Sequence, residues 1–193
     1  MPPTDTRDRI VDAARELFWH QGFEATSLAE VAERSDAGTG SIYYFFKTKS
    51  DLLSAVLDHY AGSLRSWLID PVYARTDDPA ERLLGIVGTY RTFMDETAFQ
   101  LGCPVGGLAV EVSAEHADAR ERIDAIFRAL LDALRECAAG LGITGGVPSP
   151  DDVAALTMSI IEGGIVQARA TASIEPFDRS IACLEDYLDR IRG

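Results

Sequence analysis

The chain has 193 residues, of which 47% are hydrophobic and 25% charged, a composition that suits a soluble, packed globule. No apolar run reaches the roughly 18 residues of a membrane helix, and the first residues lack the pattern of a secretory signal, so membrane and exported classes are not expected. The net charge of −13 disfavours general nucleic-acid binding, although the acidity lies mainly in the C-terminal part and the two lysines are Lys47 and Lys49.

The N-terminal third of the chain predicts four helices separated by short turns. An apolar stripe gives the first helix, which Gly22 ends as a C-terminal glycine. Ser27-Leu-Ala-Glu30 is the pattern of a capping box and opens the second helix. Turn residues at 35–38 separate the second helix from the third. The four helices are predicted at 6–21, 27–32, 39–45 and 50–67.

The remainder of the chain also has helical periodicity, and no alternating segment is long enough for a strand. Five more helices are predicted at 77–97, 105–114, 118–141, 150–172 and 178–192. The sequence therefore predicts an all-α fold of about nine helices. A three-helix helix-turn-helix domain is expected at 1–50, and a helical bundle for ligand sensing and dimerisation at 51–193.

Two short helices joined by a tight turn after a supporting helix are typical of a DNA-reading helix-turn-helix. The second short helix is small and hydroxylated at its start and aromatic at its end. Thr39 and Ser41 can reach base edges or phosphates, and Gly40 allows close backbone approach to a groove. Tyr43 and Tyr44 can each present a phenol to a phosphate. The alternative is that these aromatic rings only fill a core.

The pattern across residues 6–53 resembles the TetR family of repressors. The matching residues are Thr6-Arg7, Ile10, Ala13-Ala14, Leu17-Phe18, Gly22-Phe23, Thr26-Ser27, Val31-Ala32, Gly40-Ser41-Ile42-Tyr43-Tyr44, Phe46, Lys49 and Leu52. The resemblance implies a homodimer that binds a pseudo-palindromic double-stranded operator and leaves it when a small molecule binds the body. It places Thr26, Tyr44 and Lys49 on phosphates and Thr39, Ser41 and Tyr43 in the major groove. The expected DNA-binding residues are Thr26, Ser27, Thr39, Gly40, Ser41, Tyr43, Tyr44, Lys47 and Lys49.

Three positions depart from the family pattern. Phe45 stands where the family often has His, Gly38 where it often has Ser, and Thr39 where it often has a basic residue. These departures remove a phosphate contact and weaken a helix cap, so a modest DNA affinity is expected.

The body resembles the family in outline, and the segment from Gly102 to Glu111 looks like that of its multidrug-type subgroup. Aromatic and methionine side chains on several helices predict a pocket for a largely apolar effector, although each of them could instead fill the core. Glu162, among isoleucines, either lies at the helix surface or pairs with a polar group of the ligand. The expected ligand-binding residues are Tyr60, Leu64, Trp67, Tyr90, Phe93, Met94, Phe127, Leu131, Met158 and Glu162.

The last two helices are expected to form the dimer, burying residues that include Ile165, Ala168, Leu184 and Leu188. The fourth helix, which runs from the DNA head to Trp67, is the expected lever for ligand release.

Two other functions remain open: a redox-sensing regulator acting through Cys103, and an all-helical small-molecule binder or enzyme without a DNA role. Three distant cysteines and three scattered histidines form no metal-binding or catalytic pattern, so no cofactor and no enzymatic activity are expected. The cysteine usage suits a reducing cytoplasm.

Overall fold

The computed structural model describes residues 6–112, 116–143 and 148–192, and within these ranges the ordered elements are all helical, as predicted. The N-terminal elements are α1 (Thr6–Gln21), α2 (Leu28–Arg34), α3 (Thr39–Phe45), α4 (Lys49–Leu64), a π-helical turn (Arg65–Ile69) and α5 (Asp70–Tyr73). They are followed by α6 (Pro79–Glu96), α7 (Pro104–Glu111), α8 (Ala117–Ala139), α9 (Pro150–Thr171) and α10 (Glu175–Ile191).

Two helix ends differ from the prediction, and in both places a proline lies inside the first turn of a helix. The fourth helix does not stop at Trp67 but continues through the π-helical turn into α5, where Pro71 occupies the first turn. The last helix begins at Glu175, since Pro176 also lies in a first turn, where its missing N–H breaks no hydrogen bond. The predicted end of the sixth helix near 114 lies outside the described residues.

The described residues form two compact units, one from 6–62 with 104–126 and the other from 63–103 with 127–192. α4 and α8 each supply residues to both units. The functional boundary expected near residue 50 stays a prediction.

In the first unit, α1 packs against α2, α3 and α7. The capping box is confirmed: the Ser27 hydroxyl accepts from the Glu30 amide, and the Glu30 carboxylate accepts from the Ser27 amide. Gly22 follows α1 with φ +93°, a conformation that side chains rarely adopt, and so ends the helix as expected. The core of this unit contains the fully buried side chains of Ile10, Ala14, Ile42, Leu52, Leu53, Val56 and Leu57.

In the second unit, α6, α9 and α10 pack against one another. α10 approaches α9 so closely that a Cβ at Gly164 would overlap the ring of buried Phe177. Asp78 caps α6 by accepting from the amides of Ala80 and Glu81. Its carboxylate also takes two contacts from the Arg192 guanidinium, at 2.6 and 2.7 Å, which ties the end of the chain to α6.

The predicted dimer core was wrong in its residues. Ile165, Ala168, Leu184 and Leu188 are each no more than 2% exposed in the single chain. Because they are already covered by the packing of α6, α9 and α10, they have no surface left to bury against a second subunit.

Candidate functional site

α3 has one buried side chain and several exposed ones. Ile42 is fully buried against the first unit, whereas Tyr43 is 50% and Tyr44 74% exposed. Thr39 and Gly40 at the start of the helix are exposed, and Ser41 is half-buried. The predicted alternative, in which the tyrosines fill a core, is therefore wrong for both rings, and α3 presents its hydroxyl groups outward.

The two lysines that follow α3 differ in their surroundings. Lys47 is exposed, and its ammonium group donates to the carbonyl of Tyr43 at 2.9 Å. The Lys49 ammonium donates to the carbonyls of Phe23, Glu24 and Thr26 at 2.8, 3.2 and 3.2 Å. It also lies 4.3 Å from the centroid of the Phe23 ring. Lys49 thus fixes the α1–α2 loop to the start of α4, and its expected phosphate contact stays a prediction.

Thr26 also has a structural role in this conformation. Its side chain is 2% exposed, and its hydroxyl donates to the Gly22 carbonyl at 2.7 Å and accepts from the Gln21 amide at 3.3 Å. Ser27 is exposed and caps α2. The residues of this set that are open to a ligand on the protein surface are therefore Ser27, Thr39, Gly40, Tyr43, Tyr44 and Lys47.

Glu111, at the end of α7, binds the α1–α2 loop, although it lies far from that loop in the sequence. Its carboxylate accepts from the Glu24 amide at 2.8 Å, and a Cβ at Gly22 would lie 2.7 Å from the same carboxylate. This contact could not be predicted from the sequence, because Glu24 and Glu111 are 87 positions apart and no local pattern pairs them.

Three of the expected ligand-binding residues form an aromatic cluster in the second unit. Trp67, on the π-helical turn, makes edge contacts with Tyr90 and Phe93, at centroid distances of 5.9 and 6.4 Å. Trp67 is 48% exposed and Tyr90 is 6% exposed, so the cluster extends from the surface into the core. Isolated π-helical turns are frequently found at functional sites.

Glu162 lies near the buried end of this cluster. Burial raises the pKa of its carboxyl group, and a hydrogen bond from the Cys103 thiol partly offsets the shift. Burial also raises the pKa of the Tyr90 phenol, and nearby Cys103 and Glu162 add to that effect. The Oε1 atom of Glu162 is buried without a hydrogen-bond partner among the described residues. Cys103 is 9% exposed and its thiol donates a hydrogen bond to this carboxylate, whereas a redox-active cysteine is an accessible thiolate.

The other expected ligand-binding residues have different surroundings. Met94 is fully buried and belongs to the core. Leu64, Phe127, Leu131 and Met158 are half-buried residues of the second unit. Tyr60 belongs to the first unit, where its ring contacts His59.

The described part of the chain contains no group of three or more His, Cys, Asp or Glu side chains placed to hold a metal ion. None of the helices over the described ranges is long and apolar enough to cross a membrane.

Comparison with known proteins assigns a family to both parts of the chain. The family model of bacterial regulatory proteins of the tetR family matches residues 10–56, and that of the LmrA/YxaF-like transcriptional regulator C-terminal domain matches residues 79–182. An uncharacterized HTH-type transcriptional regulator of Mycobacterium tuberculosis is 31% identical over 179 residues, with 89% of this chain and 88% of the relative covered.

The HTH-type transcriptional regulator LmrA of Bacillus subtilis is 29% identical over 195 residues, with 96% of this chain and 98% of LmrA covered. The crystal structure of regulatory protein TetR from Rhodobacter sphaeroides has the same fold, with a TM-score of 0.82 and 20% identity over 94% of this chain and 97% of that chain. This chain therefore belongs to the TetR family of transcriptional regulators, which are DNA-binding proteins and not enzymes.

Proposed function

We propose that this protein is a homodimeric repressor that binds a pseudo-palindromic operator through α3 and dissociates when a small, largely apolar ligand binds its body. The observation that carries the proposal is the surface of α3: one buried anchor, Ile42, and exposed Thr39, Tyr43 and Tyr44, with Lys47 directly after them. Side chains of this kind on a short second helix suit base edges and phosphates of a major groove. A DNA-bound regulator of this kind acts in the cytoplasm.

A dimer is supported by an uncharged surface on α9. Leu156 and Val166 are 40% and 65% exposed, which is unusual for large aliphatic side chains on an otherwise acidic protein. Ser159, Gly163 and Ala170 continue the same side of the helix at spacings of three and four residues, and small residues there allow close helix approach. A two-fold dimer would set two copies of α3 about 34–36 Å apart, one turn of DNA.

The ligand is proposed to bind at the Trp67–Tyr90–Phe93 cluster beside Glu162. A ligand can release DNA only if it binds the non-DNA conformation more tightly, and a coupling of about 1–3 kcal/mol changes DNA affinity roughly 5- to 150-fold.

The chain offers two covalent routes from this cluster to the DNA head. Cys103, which contacts Glu162, directly precedes α7, and α7 ends at Glu111 on the α1–α2 loop. The helical run that carries Trp67 begins as α4 at Lys49, which holds the same loop. A ligand that shifts either helix would therefore act on the loop that precedes α2 and α3.

The proposal is tested by selecting DNA from a random double-stranded library with the purified protein. Retained sequences should share two inverted half-sites centred about 10 base pairs, or a multiple of one DNA turn, apart. The selected DNA is then used in anisotropy titrations with planar aromatic compounds. Failure to enrich any sequence would contradict the DNA-reading role, and enrichment without release by any ligand that quenches Trp67 would contradict the proposed release.

A further inference from the structure

Glu162 is a half-buried acid with a buried carboxylate oxygen, and none of the described residues places a cation beside it. Its Oε1 atom is buried and unpaired, and the described residues include no Arg, Lys or His within ion-pair distance of the carboxylate. The contact that it does make is with the thiol of Cys103, a weak donor. An ionised group removed from water without a strong partner is costly, and a titratable group in such surroundings marks a candidate functional site.

The groups next to Glu162 favour a positively charged ligand. Tyr90 lies close enough for its phenol to be affected electrostatically by Glu162, and Trp67 and Phe93 continue the aromatic surface outward. Aromatic faces attract organic cations, most strongly where water is excluded. Over the described ranges, the titratable groups that interact with this carboxylate are the phenol of Tyr90 and the thiol of Cys103, and neither supplies a positive charge.

We propose that the effector is an aromatic organic cation whose charged nitrogen pairs with the free Oε1 of Glu162 while its rings lie on Trp67, Tyr90 and Phe93. This inference rests on the proposed ligand-released repressor and specifies the chemistry of its ligand. A neutral effector of the same shape would leave Glu162 unpaired and would bind more weakly.

The test uses two probes of equal shape and different charge: 2-naphthylmethylammonium, whose charged nitrogen carries N–H donors, and its neutral isostere, 2-ethylnaphthalene. Binding is followed by the fluorescence of Trp67 in a Trp19→Phe background, without DNA. The wild type should bind the cation at least about tenfold more tightly than the isostere, the scale of one charge-assisted contact. Glu162→Gln should lose this preference, Glu162→Asp should retain part of it, and Glu185→Gln, which removes an exposed charge from α10, should leave it unchanged.

Equal affinity for the two probes, no saturable binding of the cation, or an undiminished preference in Glu162→Gln would each overturn the inference. A circular dichroism melt of each variant shows whether it is folded. The repressor proposal fails separately: if the cation binds in a Glu162-dependent manner but does not displace the selected DNA, the site is supported and ligand release is contradicted.

Discussion

The contacts of the Lys49 ammonium group should stabilise the folded protein by more than an exposed lysine charge would. It donates to three backbone carbonyls and lies over the Phe23 ring, at a half-buried position. Hydrogen bonds to a charged group contribute about 1.5–3 kcal/mol, and water can reach part of this site after truncation, so Lys49→Ala should lower the free energy of unfolding by about 2 kcal/mol. Lys47→Ala removes the same charge from an exposed side chain with one carbonyl contact and should cost less than about 0.5 kcal/mol.

The assay is urea unfolding followed by Trp19 fluorescence in a Trp67→Phe background, so that the first unit alone is observed. Trp19 lies on α1, next to the loop that Lys49 holds. Equal losses of stability in the two variants, or a loss below about 0.5 kcal/mol for Lys49→Ala, would refute the argument that the three carbonyl contacts fix the loop.

Three further predictions concern the second unit. Gly164→Ala should destabilise the protein by about 1–3 kcal/mol, because its methyl group would overlap Phe177 in the α9–α10 contact; an unchanged melting temperature would contradict this. Val166→Glu should convert the dimer to a folded monomer in sedimentation at micromolar concentration, whereas a dimeric variant would place the interface elsewhere. Burial raises the pKa of the Glu162 carboxyl group above its ordinary value of 4.5, so the folded protein favours the protonated form. The resulting stability is present below pH 4.5 and is lost as pH rises through the raised pKa. Glu162→Gln should therefore stabilise the ligand-free protein by about 1 kcal/mol at pH 7. It should give no gain at a pH where Glu162 is protonated in both the folded and the unfolded wild-type protein, and a less stable variant at pH 7 would be inconsistent with this.

The fold could be predicted from the sequence because its signals are local. The capping box at Ser27 and Glu30, the left-handed Gly22 after α1 and the apolar periodicities each lie within a few residues of the helix they define. Where the prediction failed, a local signal was ambiguous: Pro176 was interpreted as a helix breaker but occupies a first turn, and the helical run past Trp67 continues into α5, where Pro71 also occupies a first turn.

The roles of individual residues could be predicted only in part. The exposed tyrosines of α3 follow from the motif, but the internal use of Lys49 and the contact between Glu111 and Glu24 depend on residues more than 20 positions apart. The wrong prediction of the dimer core has the same cause. Ile165 and Leu188 are apolar and lie on the last two helices, as expected, but they are buried within a single chain. Periodicity identifies an apolar face and does not say which surface covers it.

The central claim is that α3 reads the operator. It is tested most directly by measuring the affinity of the Tyr43→Ala variant for the selected DNA. The control is Val110→Ala, at an 87% exposed position on α7. Tyr43→Ala should weaken binding to the selected sequence by about 1–3 kcal/mol while leaving binding to a scrambled duplex nearly unchanged, and Val110→Ala should affect neither. An equal loss on both duplexes, or no loss on the selected one, would contradict the assignment of Tyr43 to sequence reading by α3.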